Sequence, residues 1–359
     1  MFKKHNMVFE IKQEKQLHVT EVFFERREDL AAHLSQEVRY AVITDERVAE
    51  LYGKSLCQEL RKKGFDISFF AISSGEASKD RNTKLAIEDA LLSQKLGRDA
   101  ALIALGGGVV LDVAGFVAAT YCRGIPLISL PTTLLAMIDA SIGGKTGVNT
   151  PEGKNLIGAF HPAQCIVIDV SCLDTLPEEE WQNGYAEMIK YGLIASSSLF
   201  DLLERKGSML EGIEQSIAIK KAIIEKDFCE QGMRRVLNFG HTVGHAVEAL
   251  LNYRIAHGKA VALGMAFESY LSCRMGILSQ SYYARIIRTL HSYGFSLKMP
   301  EAISFEAFLQ ALCRDKKALG SQPRFVLLER IGSTVFCEGK YCASVPTDLL
   351  QEVYEHFLH

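Results

Sequence analysis

Residues 100–112, AALIALGGGVVLD, contain an apolar run that ends in three consecutive glycines. An apolar run of this length bounded by glycine predicts a buried strand over 100–105, and the apolar residues after Asp112 predict a helix over 113–121. Glycines between a strand and a helix let the backbone approach a phosphate, and a helix start offers free N–H donors to its charge. The glycines depart from the order GxGxxG, so the segment alone leaves open a nucleotide-binding turn and a plain tight turn.

Strands and helices alternate on both sides of this segment. The patterns predict strands over 38–44, 66–72, 125–130 and 165–170, and helices over 46–63 and 82–96. Strands that alternate with helices at these lengths indicate βαβ units and a parallel sheet covered on both faces. Thr132 and Thr133 follow one strand, and open α/β sheets bind ligands at the carboxyl ends of their strands. Polar residues at several strand ends favour a bound cofactor.

The segment 139–158 carries two lysines among glycines. The run Gly143-Gly144-Lys145-Thr146 is similar to a P-loop, but the glycine that this motif requires four residues upstream is absent, which excludes a P-loop nucleoside triphosphatase. The segment is predicted to be a loop in which Lys145 and Lys154 bind a negatively charged ligand.

The sequence pattern changes beyond Glu178, where long helical segments replace the strands until 324–328. The chain is therefore predicted to contain a Rossmann-like α/β domain over 1–176 and a mostly α-helical domain over 177–359. A chain of 359 residues is longer than one hydrophobic core usually serves, which agrees with two domains.

Residues 237–257, LNFGHTVGHAVEALLNYRIAH, concentrate three histidines. A helix predicted over 242–251 places His241 and His245 on one face, and His257 follows its end and could fold back. Two imidazoles on one face are typical of a metal site, but hydrogen-bonded core histidines share this spacing, so both interpretations stay open here. Glu187 and Lys190, one helical turn apart among apolar residues, are either a salt bridge or functional groups.

The composition limits the partners and the compartment. The net charge of −3 offers no general attraction to nucleic acid or to an anionic membrane. Nine cysteines without a CxxC pair are typical of reduced thiols in the cytosol. We find no secretory signal in the sequence and predict a cytoplasmic protein with a small-molecule substrate.

Seven motifs in order resemble the 3-dehydroquinate synthase family, over residues 45–328. They are GGGVVLDVAGF, PTTLLA, GGKTGVN, KNLIGAF, AEMIKYG, LNFGHTVGHA and DKK. The resemblance implies conversion of 3-deoxy-D-arabino-heptulosonate 7-phosphate to 3-dehydroquinate and phosphate, by transient oxidation with NAD, phosphate elimination, reduction and intramolecular aldol closure. It also implies a divalent metal, most often zinc with cobalt as an option, and an active site in a cleft between the domains.

The resemblance assigns roles to individual residues. The metal ligands are expected to be Glu187, His241 and His257. The substrate-contacting or catalytic residues are expected to be Asp139, Lys145, Asn155, Lys190, Lys220, Arg234, Asn238, His245 and Lys316 or Lys317. Arg123 is expected to reach the phosphate of a neighbouring subunit, which implies a homodimer. The NAD-binding residues are expected to be Asp45, Glu76, Lys79, Gly107, Gly108, Val109, Val110, Asp112, Thr132, Thr133, Lys145, Lys154, Cys172 and Thr175.

The sequence departs from the family pattern at three positions. Leu111 replaces a glycine, Arg47 an asparagine and Lys259 a glutamate. These changes bear on the NAD contacts and on the charge near the metal.

Three rival functions share some of these features. They are another sugar-phosphate cyclase, a metal-dependent NAD polyol dehydrogenase related to the glycerol dehydrogenases, and a zinc-stabilised binding module. The polar and basic residues Lys220, Arg234, Asn238, Lys316 and Lys317 together favour the phosphorylated substrate of the shikimate pathway.

Overall fold

A computed structural model describes residues 6–13, 16–230, 232–314, 323–336 and 340–358. The chain forms two compact units, Met1–Leu176 and Pro177–His359. The assignment of NAD binding to the first and of metal and substrate binding to the second remains a prediction.

The first unit is built on β-strands. They are, in chain order, β1 (Asn6–Gln13), β2 (Gln16–Phe24), β3 (Arg39–Asp45), β4 (Ile67–Ile72), β5 (Ala100–Gly106), β6 (Leu127–Pro131), β7 (Lys145–Thr150), β8 (Gly153–Phe160) and β9 (Cys165–Ile168). Seven of them form one sheet in the order β1-β2-β9-β6-β5-β3-β4. Only β1 runs antiparallel to its neighbour, so six strands are parallel and the predicted parallel α/β sheet is confirmed.

Four helices belong to this unit. They are α1 (Glu46–Val48), α2 (Lys54–Lys62), α3 (Arg81–Ser93) and α4 (Gly108–Thr120), with a π-helical turn, Ala49–Gly53, between the first two. The prediction that α4 begins at residue 113 was wrong, because Gly107 is its N-cap and Gly108 its first residue. The glycines that suggested a turn are thus the start of the helix. The residues on both sides of them are apolar, so no polar residue marks the start of the helix in the sequence.

The strand order creates a switch point at the carboxyl end of the sheet. The chain passes from β3 to β4 on one side of β3 and then to β5 on the other side. The two connections leave a crevice outside the carboxyl ends of β3 and β5, which is where doubly wound sheets bind ligands. Asp45 ends β3 and Gly107 follows β5, so both border this crevice.

Strands β7 and β8 pair with each other as an antiparallel hairpin. The prediction of a loop at Lys145 and Lys154 was therefore wrong. Glycine, lysine and asparagine are poor strand formers, which hid the strands in the sequence. The glycines have a packing role, since a Cβ on Gly158 would lie 1.9 Å from the carbonyl oxygen of Thr146 on the paired strand.

The second unit is mainly helical, as predicted. Its helices are α5 (Glu178–Ala195), α6 (Ser197–Glu204), α7 (Met209–Lys226), α8 (His241–Leu250), α9 (His257–Arg274), α10 (Gln280–Ser292), α11 (Phe305–Arg314) and α12 (Thr347–His356). Four short strands are β10 (Arg324–Phe325), β11 (Leu328–Arg330), β12 (Ser333–Thr334) and β13 (Ala343–Ser344), and they form two two-stranded ladders. None of the helices among the described residues combines the length and the apolar character needed to cross a membrane.

Helices α8 and α9 meet at a contact that only glycine permits. Gly240, the N-cap of α8, has φ +77°, and a Cβ on Gly264 of α9 would lie 1.9 Å from the carbonyl oxygen of Gly240. The backbone N–H of Gly240 donates to Oε2 of Glu268, a fully buried side chain of α9, at 2.9 Å. These contacts fix the start of α8 against the middle of α9.

We expect Gly264→Ala to lower the free energy of unfolding by about 1–3 kcal/mol, because the added methyl group must displace backbone rather than a flexible side chain. Denaturant unfolding of the purified protein measures this difference. Gly212→Ala on α7 is the matched control, since its Cβ would meet the flexible sulfur of Met188 at 2.9 Å and alanine favours the helix. Equal stabilities of the two variants would contradict the proposed packing constraint.

Candidate metal and cofactor sites

Three helices of the second unit bring Glu187, His241 and His257 together. Glu187 lies in the middle of α5, whereas His241 and His257 are the first residues of α8 and α9. Nε2 of His241 lies 3.2 Å from Oε1 of Glu187, and Nε2 of His257 lies 3.5 Å from the same oxygen. One donor atom from each residue can be chosen so that all three lie within 4.8 Å of one another.

The three side chains fit a divalent metal. The Glu187 side chain is fully buried, and neither of its oxygens accepts a hydrogen bond of standard geometry from the described residues. Two imidazoles and one carboxylate are a known ligand set of catalytic zinc, which keeps a fourth position for water or substrate. The group therefore offers one buried carboxylate and two imidazole nitrogens at one point.

The far nitrogens of both imidazoles have oxygen partners. Nδ1 of His241 lies 3.2 Å from the carbonyl oxygen of Phe239, and Nδ1 of His257 lies 3.5 Å from Oε1 of the buried Glu248. An oxygen at Nδ1 favours the tautomer with its proton there and leaves the lone pair on Nε2. The two Nε2 atoms that face Glu187 are thus the ones prepared to bind a metal.

Local charges shift the pKa values of these three groups. Burial favours the neutral acid at Glu187, yet attraction to Lys190 and His241 outweighs burial and holds the pKa of this carboxyl well below its usual range. Burial, together with repulsion from Lys190, lowers the pKa of His241. Burial would also lower the pKa of His257, but its contacts with the carboxylates of Glu187 and Glu248 raise it to about 9. Metal-free protein therefore carries a charged His257 opposite an ionised Glu187 at neutral pH.

Two further expected site residues border this group. Lys190 is buried and forms an ion pair with Oε2 of Glu187. The ring of His245 lies 5.2 Å from that of His241 and 6.3 Å from that of His257 between centroids. The ring of His245 is therefore a neighbour of both expected ligands, and its contact with the substrate stays a prediction.

The expected substrate-holding cations of this unit are buried. Arg234 is 1% exposed and Lys220 on α7 is 6% exposed. Oδ2 of Asp227 accepts hydrogen bonds from the backbone of Gly232 at 2.7 Å and of Arg234 at 2.9 Å, which holds the short 3-10 helix Met233–Asn238 in place. Buried cations are suited to a substrate with several negative charges. Asn238 of the same helix donates from Nδ2 to Glu230 at 2.9 Å, and Lys316 and Lys317 lie outside the described residues.

In the first unit, the expected NAD-binding residues follow the carboxyl ends of five neighbouring strands. Along β9-β6-β5-β3-β4 they are Cys172 and Thr175, then Thr132 and Thr133, then Gly107, Gly108, Val109, Val110 and Asp112, then Asp45, and finally Glu76 and Lys79. The sheet thus collects at one edge residues that are far apart in the sequence.

Side chains at this edge contact each other. Lys79 is buried and forms an ion pair with Asp112 of α4. Oδ1 of Asp45 caps α1 and accepts a hydrogen bond from the hydroxyl of Ser74 at 2.9 Å. Asn149 of β7 donates from its backbone to Lys79 and from Nδ2 to Glu76, both at 2.7 Å. The hairpin β7–β8 is therefore fixed against the turn after β4.

The remaining expected residues of the first unit lie on the hairpin and in two turns. Lys145 is the exposed first residue of β7, and Lys154 lies on β8. Asn155 has φ +54° and its backbone N–H donates to Asn149 at 3.0 Å. Asp139 lies in a π-helical turn, and Arg123 is exposed with φ +70°.

The three departures from the family pattern have distinct surroundings. Leu111 is 4% exposed, so its side chain is packed in the interior of the first unit. Arg47 is exposed, and its backbone N–H donates to Oδ1 of Asp45 at 2.9 Å. Nζ of Lys259 lies 3.8 Å from Oε1 of Glu179, so its charge is partly compensated at the start of α9.

The sequence analysis gave no supporting role to two residues that hold the expected ones, although Glu248 was expected to lie near the helix face that carries the histidines. Oδ1 of Asn183 on α5 accepts a hydrogen bond from Gly258 at 2.8 Å, which fixes the start of α9. Glu248 contacts His257, and its position seven residues after His241 places it on the same face of α8 two turns later. That spacing was a usable signal for Glu248, whereas the Asn183 contact joins distant segments and leaves none.

Known proteins match this chain over most of its length. Models of the N-terminal and C-terminal parts of 3-dehydroquinate synthase match residues 69–183 and 184–318. A 3-dehydroquinate synthase of Pelotomaculum thermopropionicum is 44% identical over 308 residues, which is 83% of each chain. One from Shewanella halifaxensis is 42% identical over 92% of this chain and 93% of its own.

A solved structure gives the same fold. It is the 2-epi-5-epi-valiolone synthase of Streptomyces hygroscopicus subsp. jinggangensis with NAD+ and Zn2+ bound, with a TM-score of 0.87, 27% identity, and coverage of 96% of this chain and 98% of that one. The matches to both family models and to relatives above 40% identity establish that this chain belongs to the 3-dehydroquinate synthase family.

Proposed function

We propose that this chain is a 3-dehydroquinate synthase, which converts 3-deoxy-D-arabino-heptulosonate 7-phosphate to 3-dehydroquinate and phosphate in the shikimate pathway. The observation that carries the proposal is the Glu187–His241–His257 group, in which Glu187 is buried and both histidines are half-buried, in a chain that is 44% identical to a named synthase. Buried Lys190, Lys220 and Arg234 supply charge for a substrate that bears a carboxylate and a phosphate.

Glu187, His241 and His257 are proposed to hold a divalent metal, with zinc preferred. When bound, such an ion polarises substrate oxygens and lowers the pKa of hydroxyl groups attached to it. Glu248 and the carbonyl of Phe239 keep both imidazoles in the orientation that presents Nε2.

NAD is proposed to bind at the carboxyl edge of the first unit's sheet. When bound, NAD accepts a hydride from the substrate and returns it within the same turnover. The N–H groups at the start of α4 face the position expected for its pyrophosphate, since they follow the glycines after β5. The ion pair of Lys79 with Asp112 and the cap of Asp45 hold the neighbouring turns.

The substrate is proposed to be held by the cations and amides of the second unit, Lys190, Lys220, Arg234 and Asn238. Arg234 and Lys220 are buried, so their charges are weakly screened by water and orient an anionic group strongly. Holding the reacting groups in place supplies much of the rate gain in such a reaction, because positioning replaces random encounter.

We further propose that the enzyme is a homodimer in which Arg123 reaches the phosphate site of the other subunit. The support is that Arg123 is exposed and has φ +70°, next to Gly124 with φ +115°, in the turn after α4. Residues held at positive φ are strained and occur preferentially at functional positions.

Purified protein supplied with the heptulosonate phosphate, NAD and zinc is expected to release phosphate without accumulating NADH. The reason is that the reduction step regenerates NAD in each turnover. A phosphate assay and absorbance at the NADH wavelength, recorded together, check this. Steady NADH production from glycerol would instead support the polyol dehydrogenase, and phosphate release from a different sugar phosphate alone would support another cyclase.

Arg234→Ala is expected to raise the KM for the substrate at least ten-fold and to leave the affinity for NAD unchanged, because a buried cation of the second unit is lost. Steady-state kinetics with titration of NAD measure both. Arg235→Ala is the control, since Arg235 is exposed in the same short helix. A parallel loss of NAD affinity would contradict the assignment of Arg234 to the substrate.

Zinc binding at pH 7 is expected to release about one proton, because His257 has a raised pKa of about 9 in the metal-free protein and must be neutral to bind a metal. Affinity should therefore rise with pH up to about 9, roughly ten-fold per pH unit. Calorimetry in buffers of different ionisation enthalpy measures the released proton. In His257→Ala this release should disappear, and an unchanged release would remove His257 from the ligands.

A further inference from the structure

Tyr52 is a buried residue of the first unit to which the proposed function assigns no role. It lies in the π-helical turn Ala49–Gly53 that follows α1 and is 7% exposed. Its hydroxyl lies 2.5 Å from Oγ1 of Thr175 and 3.2 Å from the carbonyl oxygen of Cys172. Tyr52 therefore contacts both ends of the turn that follows β9.

The same turn is held from another side by Arg27. Nη1 of Arg27 lies 2.7 Å from Oδ2 of Asp169, and the backbone N–H of Arg27 donates to that oxygen at 3.2 Å. Asp169 in turn caps the short helix Val170–Thr175 by accepting from Ser171 at 3.1 Å. The buried carboxylate thus joins the segment after β2 to the turn after β9.

Tyr52 and Arg27 also contact each other. The guanidinium carbon of Arg27 lies 4.6 Å from the centroid of the Tyr52 ring. A cation over an aromatic ring is attracted by the negative face of the ring. The ring of Tyr52 is consequently held in place while its hydroxyl points at the turn.

The sheet alone does not fix this turn relative to the segment that follows β3. In the sheet, β5 and β6 separate β3 from β9, and ladder hydrogen bonds position strands rather than the loops beyond them. Tyr52 bridges that distance directly. A π-helical turn shifts the register of the residues within a helix and is enriched at functional sites, which fits the insertion that presents Tyr52 here.

We propose that Tyr52 is a positioning residue of the dinucleotide site. Its hydroxyl sets the spacing between the turn with Cys172 and Thr175 and the β3 end with Asp45, so that one dinucleotide can contact both. The inference rests on the proposed NAD-dependent function, in which these residues bind NAD. Tyr52 does not itself contact the cofactor; it acts through Thr175.

Tyr52→Phe tests the proposal, because it keeps the ring and its contact with Arg27 and removes only the hydroxyl. The dissociation constant for NAD, measured by calorimetry, is expected to rise about three- to ten-fold, the range of one lost hydrogen bond. The affinity for zinc is expected to stay unchanged.

Tyr40→Phe is the matched control. Tyr40 is also buried in the first unit, and its hydroxyl accepts a hydrogen bond from the backbone of Ser35 at 2.8 Å. It lies near the amino end of β3, at the opposite edge of the sheet from Asp45. A purely structural tyrosine hydroxyl would lower the melting temperature in both variants and leave NAD affinity alone, so equal NAD affinity in Tyr52→Phe and wild type overturns the proposal. An equal loss in both variants also overturns it.

A double-mutant cycle with Thr175→Val identifies the route of the effect. If Tyr52 acts through Thr175, adding Tyr52→Phe to Thr175→Val should change NAD affinity less than two-fold, because the contact is already lost. If the fold-changes in the dissociation constant for NAD caused by the two single substitutions multiply in the double variant, the positioning role is overturned. If the wild-type protein binds no NAD, the proposed function itself is overturned. If the wild-type protein binds NAD and Tyr52→Phe binds it equally well, only the positioning role of Tyr52 is overturned.

Discussion

The second unit depends on one buried charge. Glu187 is fully inaccessible to solvent, and an isolated carboxylate in the protein interior costs far more than most single contacts return. The structure compensates it with Lys190 from the same helix and with imidazoles that arrive at the starts of two other helices. The first residues of α8 and α9 therefore converge on the middle of α5. Moving either helix start away would remove a partner of the Glu187 carboxylate.

That convergence demands close backbone packing. Gly264 lets α9 approach Gly240, and Gly258 lies against α5, where a Cβ would be 2.6 Å from the Cα of Asn183. Asn183 also accepts the backbone hydrogen bond of Gly258. Small residues thus set the helix distances, while Asn183 and Glu248 set the orientation of His257. The precision of the site comes from backbone contacts as much as from the ligands themselves.

The sequence predicted what local pattern and the family motifs determine. The apolar runs predicted the buried parallel strands to within a few residues of their observed ends. The family motifs named Glu187, His241 and His257, which the structure brings within 4.8 Å of one another. The hairpin of β7 and β8 was missed because Lys145, Gly147 and Asn149 are poor strand formers whose pairing is decided by backbone fit. The contact of Asn183 with Gly258 joins residues 75 positions apart and that of Tyr52 with Thr175 joins residues 123 positions apart. No local pattern carries such information, and none carries the strand order either.

The two candidate sites share a physical origin. His241, His257 and the glycines after β5 all lie at the first turn of a helix, where backbone N–H groups lack partners within the helix. Element ends are also where a side chain can leave the packed layer without creating a cavity. The hydrogen bonds of a helix or strand fix the position of its ends only loosely. Each of these ends therefore needs a contact from a distant segment. Asn183 supplies it for α9, Glu268 for α8 and Tyr52 for the turn after β9. These residues are not among the expected ligand-binding residues, yet they hold the elements that carry both candidate sites.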